Sequence, residues 1–514
     1  MKEEQKKKQL QTIGMMMVLT LLGKVLGLVR DLQLGHRFAT GFEADAFLAA
    51  SRIPRNFFDA VFASAISASF IPVFNEYLEK KGKDEAFRLS DAFISIIALL
   101  TAGFSALGMI FAPQITAFLA DGFDARTAEL CAGLLRVLFP TVFFTGIAFS
   151  IVGVLQSLGE FSIPALLSTA SNLVIIAYYL LLCGRFGISG LAWAFLAGWA
   201  VQVLIQLPSL RRFGYRYRPS LRHEGLRPIM KLMLPVLVST WMQPVNLTVA
   251  TKFASRIAGG ASSLEYANTL YTIITGVFVL SIANVIFPEL SRLSARQDGG
   301  GIGELVDDTL RQMIFILAPL AAGLMILARP LVRLLYEWGE WGEESTALTS
   351  GALAMLALGM LGYGVHVILS RVFYARQEGR LPLISGIVSV AVNLLLCMTL
   401  WRGAGIRGLA AASAVSQLAA AAVLFVALAR RDRGMLSPGF ALEIGKMLVC
   451  SAVMGACVYA CRQALSSAAG AGIVSRIAAF GLPTVLGIAV YFAAAALMRI
   501  ETMKSLLGLL KGRR

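Results

Sequence analysis

Apolar blocks of about twenty residues, the length that spans a bilayer as a helix, recur along all 514 residues of the chain. Short charged or Gly/Pro-rich breaks separate them. Fourteen can be counted, at 10–33, 44–76, 89–119, 128–156, 162–183, 187–209, 228–257, 263–292, 306–328, 347–375, 381–401, 406–429, 441–464 and 474–498. Charged residues make up 15% of the chain and hydrophobic ones 57%. A soluble domain carries about a quarter charged residues. The fold class expected is an all-α polytopic membrane protein. The first block follows a basic stretch, Met1–Gln9, as a signal peptide would begin. No small-residue cleavage site follows, so a retained first helix is expected.

Loop charge gives the orientation. After even-numbered blocks come Lys80, Lys81 and Lys83, the run Arg211, Arg212, Arg216, Arg218 and Arg222, then Arg292 with Arg296, Arg376 with Arg380, and Arg430, Arg431 and Arg433. After odd-numbered blocks the loops are short or acidic, as with Asp121 and Asp124 or Glu337, Glu340, Glu343 and Glu344. Cytoplasmic loops carry the Lys/Arg excess, so both termini are expected in the cytoplasm. The net charge of +16 sits in loops between apolar segments. It suits an anionic leaflet and gives no reason to expect a nucleic-acid partner.

The chain also repeats itself. EFSIPALL at Glu160 matches EGRLPLIS at Glu378, and GISGLAWA at Gly187 matches GIRGLAAA at Gly405. Pro164 and Pro382, Gly187 and Gly405, and Gly190 and Gly408 all share an offset of 218. That offset is six blocks, an even number, so the copies run in the same direction across the membrane. The expected organisation is a cytoplasmic tail at 1–9, an N-lobe at 10–210 and a basic linker at 211–227. A C-lobe at 228–430, two further helices at 431–498 and a basic cytoplasmic tail at 499–514 follow. Two six-helix lobes would then flank a central cavity.

Against this apolar background, the stretch KVLGLVRDLQLGHRFATGFEADAFLAASRIPRNFFD carries Lys24, Arg30, Asp31, Asp45, Arg52, Arg55 and Asp59. Charges inside membrane segments are costly and usually line a wet cavity or pair with one another. Asp45, Arg52 and Asp59 are spaced by seven and share an approximate helical face, interrupted by Pro54. Lys24, Gly27 and Asp31 share another, with Arg30 about 100° from Asp31. Two readings stand. The cations could form a wall for an anionic substrate, Lys as a point charge and Arg as a fork for phosphate oxygens. Alternatively, Arg30 and Asp31 mark the end of helix one and pair with Asp45 or Arg52, or snorkel to the interface. Weaker site candidates are Lys252 and Arg256, which close the seventh block, and Arg371 and Arg376, all of which also read as interface anchors, together with Glu265 and Asn268, which open the eighth. Gln243, Asn246, Asn284 and Asn393 are intramembrane amides, commonly interhelical glue.

Catalytic chemistry is not legible. Cys131, Cys183, Cys397, Cys450, Cys457 and Cys461 lie mostly inside apolar blocks, as small buried hydrophobes do. His36, His223 and His366 are scattered, and no metal-ligand spacing, phosphate loop or nucleophile motif is present. No enzyme activity, metal or cofactor is expected.

In order along the chain, KVLGLVRD, ADAFLAASRIP, SFIPVF, EFSIPALLSTASN, QLPSLRRFG, LVRLLYEWGEW and RVFYARQEGRLP resemble the MurJ/MviN family, lipid II flippases of the multidrug/oligosaccharidyl-lipid/polysaccharide exporter superfamily. The resemblance implies a V-shaped pair of six-helix lobes, a cationic central cavity and a groove for a polyprenyl tail along the last two helices. It matches the family's helix-one cavity cations to Lys24 and Arg30, and a helix-two acid to Asp45. The chain departs from the family pattern where a basic pair falls on Phe58 and Asp59, where an Arg and a Glu fall on Thr269 and Thr272, and where sodium-binding carboxylates fall on Val249 and Cys397. The function implied is alternating-access flipping of a polyprenyl-diphosphate-linked saccharide, foremost lipid II, with Lys24, Arg30 and Arg52 neutralising the diphosphate. The alternatives are another lipid-linked oligosaccharide, a drug or cation antiporter of the same superfamily, or a non-transport scaffold. The partners implied are the anionic lipid-linked substrate, membrane lipids and cell-wall synthesis proteins, in a bacterial inner membrane.

Overall fold

The structure, a computed structural model, describes residues 2–58, 62, 65–240, 242–296, 299–376, 378–431, 436–466 and 472–503. Among them there is no strand. Nine helices are long and apolar enough to cross a membrane, or ten if a pair bent by 45° is taken as one span. The chain parts into two compact units, Met1–Thr248 and Val249–Arg514. The boundary therefore falls inside the seventh expected span and not at the basic linker.

In the first unit, α1 runs Lys2–Phe38 and α2 Phe42–Ser51, followed by π-helical turns at Arg52–Phe57 and Ile66–Phe70 and by α3, Ile71–Lys80. Then come α4 (Lys83–Ile110), α5 (Ala112–Leu119), α6 (Ala125–Leu138), α7 (Thr141–Ser157), α8 (Ser162–Leu181), α9 (Cys183–Leu204), α10 (Leu207–Arg212) and α11 (Leu226–Thr240). One expectation changes here. The first helix starts at Lys2, within the stretch 1–9, and continues to Phe38, so Arg30 and Asp31 lie inside it and do not mark its end. Pro54, lacking an N–H, sits in the first π turn, and the extra residue per turn breaks the seven-residue face of Asp45 and Arg52 beyond that point. Asp59 lies outside the described residues.

Lipid tails are as apolar as Leu, so helices in a membrane associate through close packing rather than exclusion from water. On α7, a Cβ at Gly153 would stand 2.8 Å from Phe70, and one at Gly146 would stand 2.8 Å from Ile97 and Thr101. These glycines let α7 lie directly on α4 and the second π turn. Phe70 stacks on Phe93 at 4.5 Å in the same core, which also holds Phe74, Leu89 and Ile229. The basic linker is docked here. Tyr215 is buried and donates to Asp91 at 2.6 Å, and His223 meets Glu85 at 3.2 Å.

Next is α12 (Met242–Ala254). The second unit continues with α13 (Gly260–Ala295), α14 (Gly299–Tyr336), α15 (Glu343–Leu358), α16 (Met360–Ala375), α17 (Arg380–Arg431), α18 (Phe440–Ser466) and α19 (Ile473–Leu497). The long α17 breaks at Gly405 (φ 56°, ψ −137°), as α9 breaks at Gly187 (φ 53°, ψ −146°). These are the two glycines matched by the internal repeat, in a left-handed conformation that costs any residue with a Cβ. The repeat is thus structural.

Two prolines interrupt α14, Pro319 and Pro330. Each removes an N–H and so frees the carbonyl four residues earlier, which hydrocarbon cannot hydrogen-bond. Both carbonyls are filled from the last two helices. Tyr491 of α19 donates to Phe315 O at 2.7 Å, and Arg462 of α18 donates to Ile326 O at 2.7 Å. Below them a buried polar knot ties α14 to α18. Arg311 bonds Asp307 at 2.8 Å and pairs with Glu443. Ser437 donates N–H and Oγ to Asp307 at 3.1 Å each, while Thr502 does the same to Glu443 at 3.0 Å each. Sequence reading missed this knot, although Asp307 and Arg311 are charges inside an apolar block.

Candidate functional site

The site grows from a close approach of α1 and α8. A Cβ at Gly23 would stand 3.2 Å from Ser168, and one at Gly27 would stand 3.4 Å from the Asn172 amide. The gap these glycines leave admits Asn172, which is 2% exposed. Its Nδ2 donates to Gly23 O at 3.1 Å and to Ser168 Oγ at 3.3 Å, so its Oδ1 turns towards Arg30. Arg30 Nη1 donates to that oxygen at 2.9 Å. Its Nε and Nη2 donate to Asp31 Oδ1 at 2.9 and 2.8 Å. Although their Cβ atoms diverge around the helix, the Arg30 side chain is long enough to fold back onto its neighbour. Its carboxylate partner is Asp31 and not Asp45.

The guanidinium lies over the Phe195 ring of α9, 5.4 Å from the centroid. Arg55, from the first π turn, lies over the same ring at 5.8 Å. Phe47 of α2 holds the ring edge-on at 5.2 Å. Aromatic faces attract cations, the more so away from water. A guanidinium has five N–H donors. Three of Arg30's are engaged, and its side chain keeps 14% exposure. Among the described residues, two donors and the Arg55 guanidinium remain for an incoming oxyanion. Counting Arg30, Arg55 and Asp31, the cluster keeps one net positive charge.

Arg30, Asp31 and Arg55 are thus brought together. Asp45 and Arg52 are buried on α2 and at its end, at 4% and 3% exposure. Lys24 is exposed, N-terminal to the cluster on α1. The weaker candidates belong to the second unit. Arg256 stacks on Phe253 and Trp401 at 5.2 and 4.9 Å, and Arg371 on Phe287 at 5.0 Å, as anchored side chains do. Glu265 is buried, Lys252 and Asn268 are half-buried, and Arg376 caps α16. Cys131, Cys183, Cys397 and Cys450 are buried, as their apolar blocks suggested. Asn172 and Phe195 were missed by sequence reading. An amide in the middle of an apolar block was the available signal for the first.

The model of a family described as "Lipid II flippase MurJ" matches residues 34–480. A probable lipid II flippase MurJ of Haemophilus influenzae is 32% identical, over 86% of this chain and 90% of its own length. The lipid II flippase MurJ of Burkholderia cenocepacia is 28% identical, over 85% and 88%. Among solved structures, "Lipid II flippase MurJ, inward closed conformation" aligns with a TM-score of 0.79 at 23% identity, covering 95% of this chain and 99% of that one. An inward-facing multidrug transporter of the MATE family aligns at 0.65 and 15%, covering 84% and 98%. At such identities the structural likenesses speak for the fold.

Proposed function

The chain belongs to the MurJ lipid II flippase family, and from that membership we propose that it flips lipid II across the membrane with its diphosphate held by Arg30 and Arg55. The observation that carries the site is the convergence of these two guanidiniums on Phe195, with Asp31 the one carboxylate paired to Arg30 among the described residues. A diphosphate is the part of a polyprenyl-linked saccharide that hydrocarbon rejects most strongly. Guanidinium forks match its oxygens in geometry and charge, and cost little reorganisation when they are already held. Asn172 and Asp31 supply that hold. Asp45 and Arg52 stay buried on α2 and at its end, and Lys24 offers a further, exposed charge. The polyprenyl tail stays in lipid while the head crosses by alternating access. No covalent step is needed, in keeping with a transporter family.

The basic loops support cytoplasmic termini and an inner-membrane location, where the substrate is made on one face and used on the other. Cell-wall synthesis proteins would be its neighbours there. A drug or cation antiporter would need surplus carboxylate in the site, and among the described residues the surplus is cationic. Translocation of labelled lipid II in proteoliposomes tests the reading. Transfer should exceed that of protein-free vesicles and fall in Arg55→Gln. Equal transfer with and without protein would refute it.

A further inference from the structure

We propose that the second unit carries an anion site of its own, built for the phosphate of an anionic membrane lipid. A cavity of about 260 Å³ lies between α14, α15, α17 and α18. Three arginines line it, Arg329, Arg407 and Arg462, beside an apolar floor that includes Met325, Ile326 and Met355. Arg329 is neutralised by Glu343. Among the described residues, Arg407 and Arg462 have no carboxylate within ion-pair distance. Arg462 spends one N–H on the Ile326 carbonyl, which holds it at the wall. Arg407 follows the Gly405 kink and lies flat against α15, where a Cβ at Gly351 would stand 2.7 Å from its Nε.

Two cations over an apolar floor match a phosphate joined to a hydrocarbon. The volume admits a phosphate and its glycerol, but it is below the range of pockets that take larger ligands, about 300–1,000 Å³. A phosphate with its glycerol therefore fits it better than a saccharide head does. Arg329 joins the cavity to the acidic loop at Glu337–Glu344, so the site faces away from the basic loops.

The test uses the full-length protein in neutral detergent. Binding of phosphatidylglycerol, phosphatidylcholine and inorganic phosphate is read by native mass spectrometry and thermal shift. Phosphatidylglycerol should bind preferentially, and Arg407→Gln should weaken it about tenfold, the loss expected for one charge-assisted bond. Gly351→Ala, which displaces the guanidinium without removing it, should weaken binding too, and it carries the test if Arg407→Gln does not fold. Arg402→Gln removes the same charge outside the cavity and should leave binding unchanged. Equal binding of phosphatidylcholine, or an equal loss in Arg402→Gln, would overturn the proposal. Inorganic phosphate binding as tightly as the lipid would overturn the lipid assignment.

Discussion

Replacing Arg30 by Gln, alone and together with Asp31→Asn, should separate its hold on the protein from its hold on the substrate. In the single variant Asp31 loses both of its guanidinium bonds and Asn172 Oδ1 loses its donor. Stranding a fully buried charge costs about 3–5 kcal/mol. The pair keeps 14% and 17% side-chain exposure, so water reaches Asp31 and the loss should lie near the lower end, about 3 kcal/mol. The double variant removes the stranded charge and should recover about 2 kcal/mol, leaving about 1 kcal/mol for the unpartnered amide. Substrate affinity should follow a different pattern. Both variants lack the free donors, so both should lose about 1.5–3 kcal/mol, or tenfold to hundredfold. Asp31→Asn alone should be less stable and bind slightly more weakly than the parent, because Arg30 keeps its charge but loses part of its hold. Thermal unfolding in detergent reads the first quantity, and lipid II binding with vesicle translocation reads the second. A double variant that transports like the parent would make Arg30 an anchor and move the phosphate site elsewhere. Additive stability losses would refute the ion-pair argument itself.

Four further outcomes are expected. Tyr491→Phe should cost about 1–3 kcal/mol by baring the Phe315 carbonyl. It should cost almost nothing in a Pro319→Ala background, where the helix supplies its own N–H, and an undiminished loss there would sink the explanation. If Val249 and Cys397 stand where the resemblance puts sodium-binding carboxylates, transport should survive replacement of sodium by potassium at constant potential, and loss on exchange would contradict this. A cysteine at Arg216 should resist impermeant label applied to intact cells while one at Glu340 reacts, and the reverse pattern would invert the topology. Asp124 accepts the Thr127 N–H as the cap of α6, which holds its carboxyl below the usual range. Its contribution is then complete above the ordinary Asp value near 4 and lost as pH falls through the lowered one. Asp124→Asn should remove that part of the acid dependence of melting, and an unchanged profile would count against it.

The helices were legible because span length and loop charge are local properties of sequence. Gly187 and Gly405 were legible as a repeat, and their positive φ gives the physical reason only glycine serves there. The site was half legible. Arg30, Asp31 and Arg55 stand out as charges among apolar residues. Asn172 and Phe195 do not, because what matters is which helix they meet, and Asn172 lies 142 positions from Arg30. The reach of a flexible guanidinium onto the next residue is likewise invisible to a helical wheel. The polar knot at Arg311 was missed because Glu443 reads as an ordinary first-turn acid of α18 until its partner is seen.

The proline gaps of α14 bear on how the chain is made. Phe315 waits for a donor 176 residues further along, and Ile326 for one 136 residues on. At about 5–20 residues per second, the ribosome takes on the order of ten to thirty seconds to deliver Tyr491. Until Arg462 and then Tyr491 are made, α14 holds carbonyls that lipid cannot satisfy. The half-built second unit should therefore linger beside the insertion machinery, where water or another chain can occupy those oxygens, and enter the bilayer fully only when α18 and α19 arrive. A chain stopped before Arg462 would stay there as a client of membrane quality control.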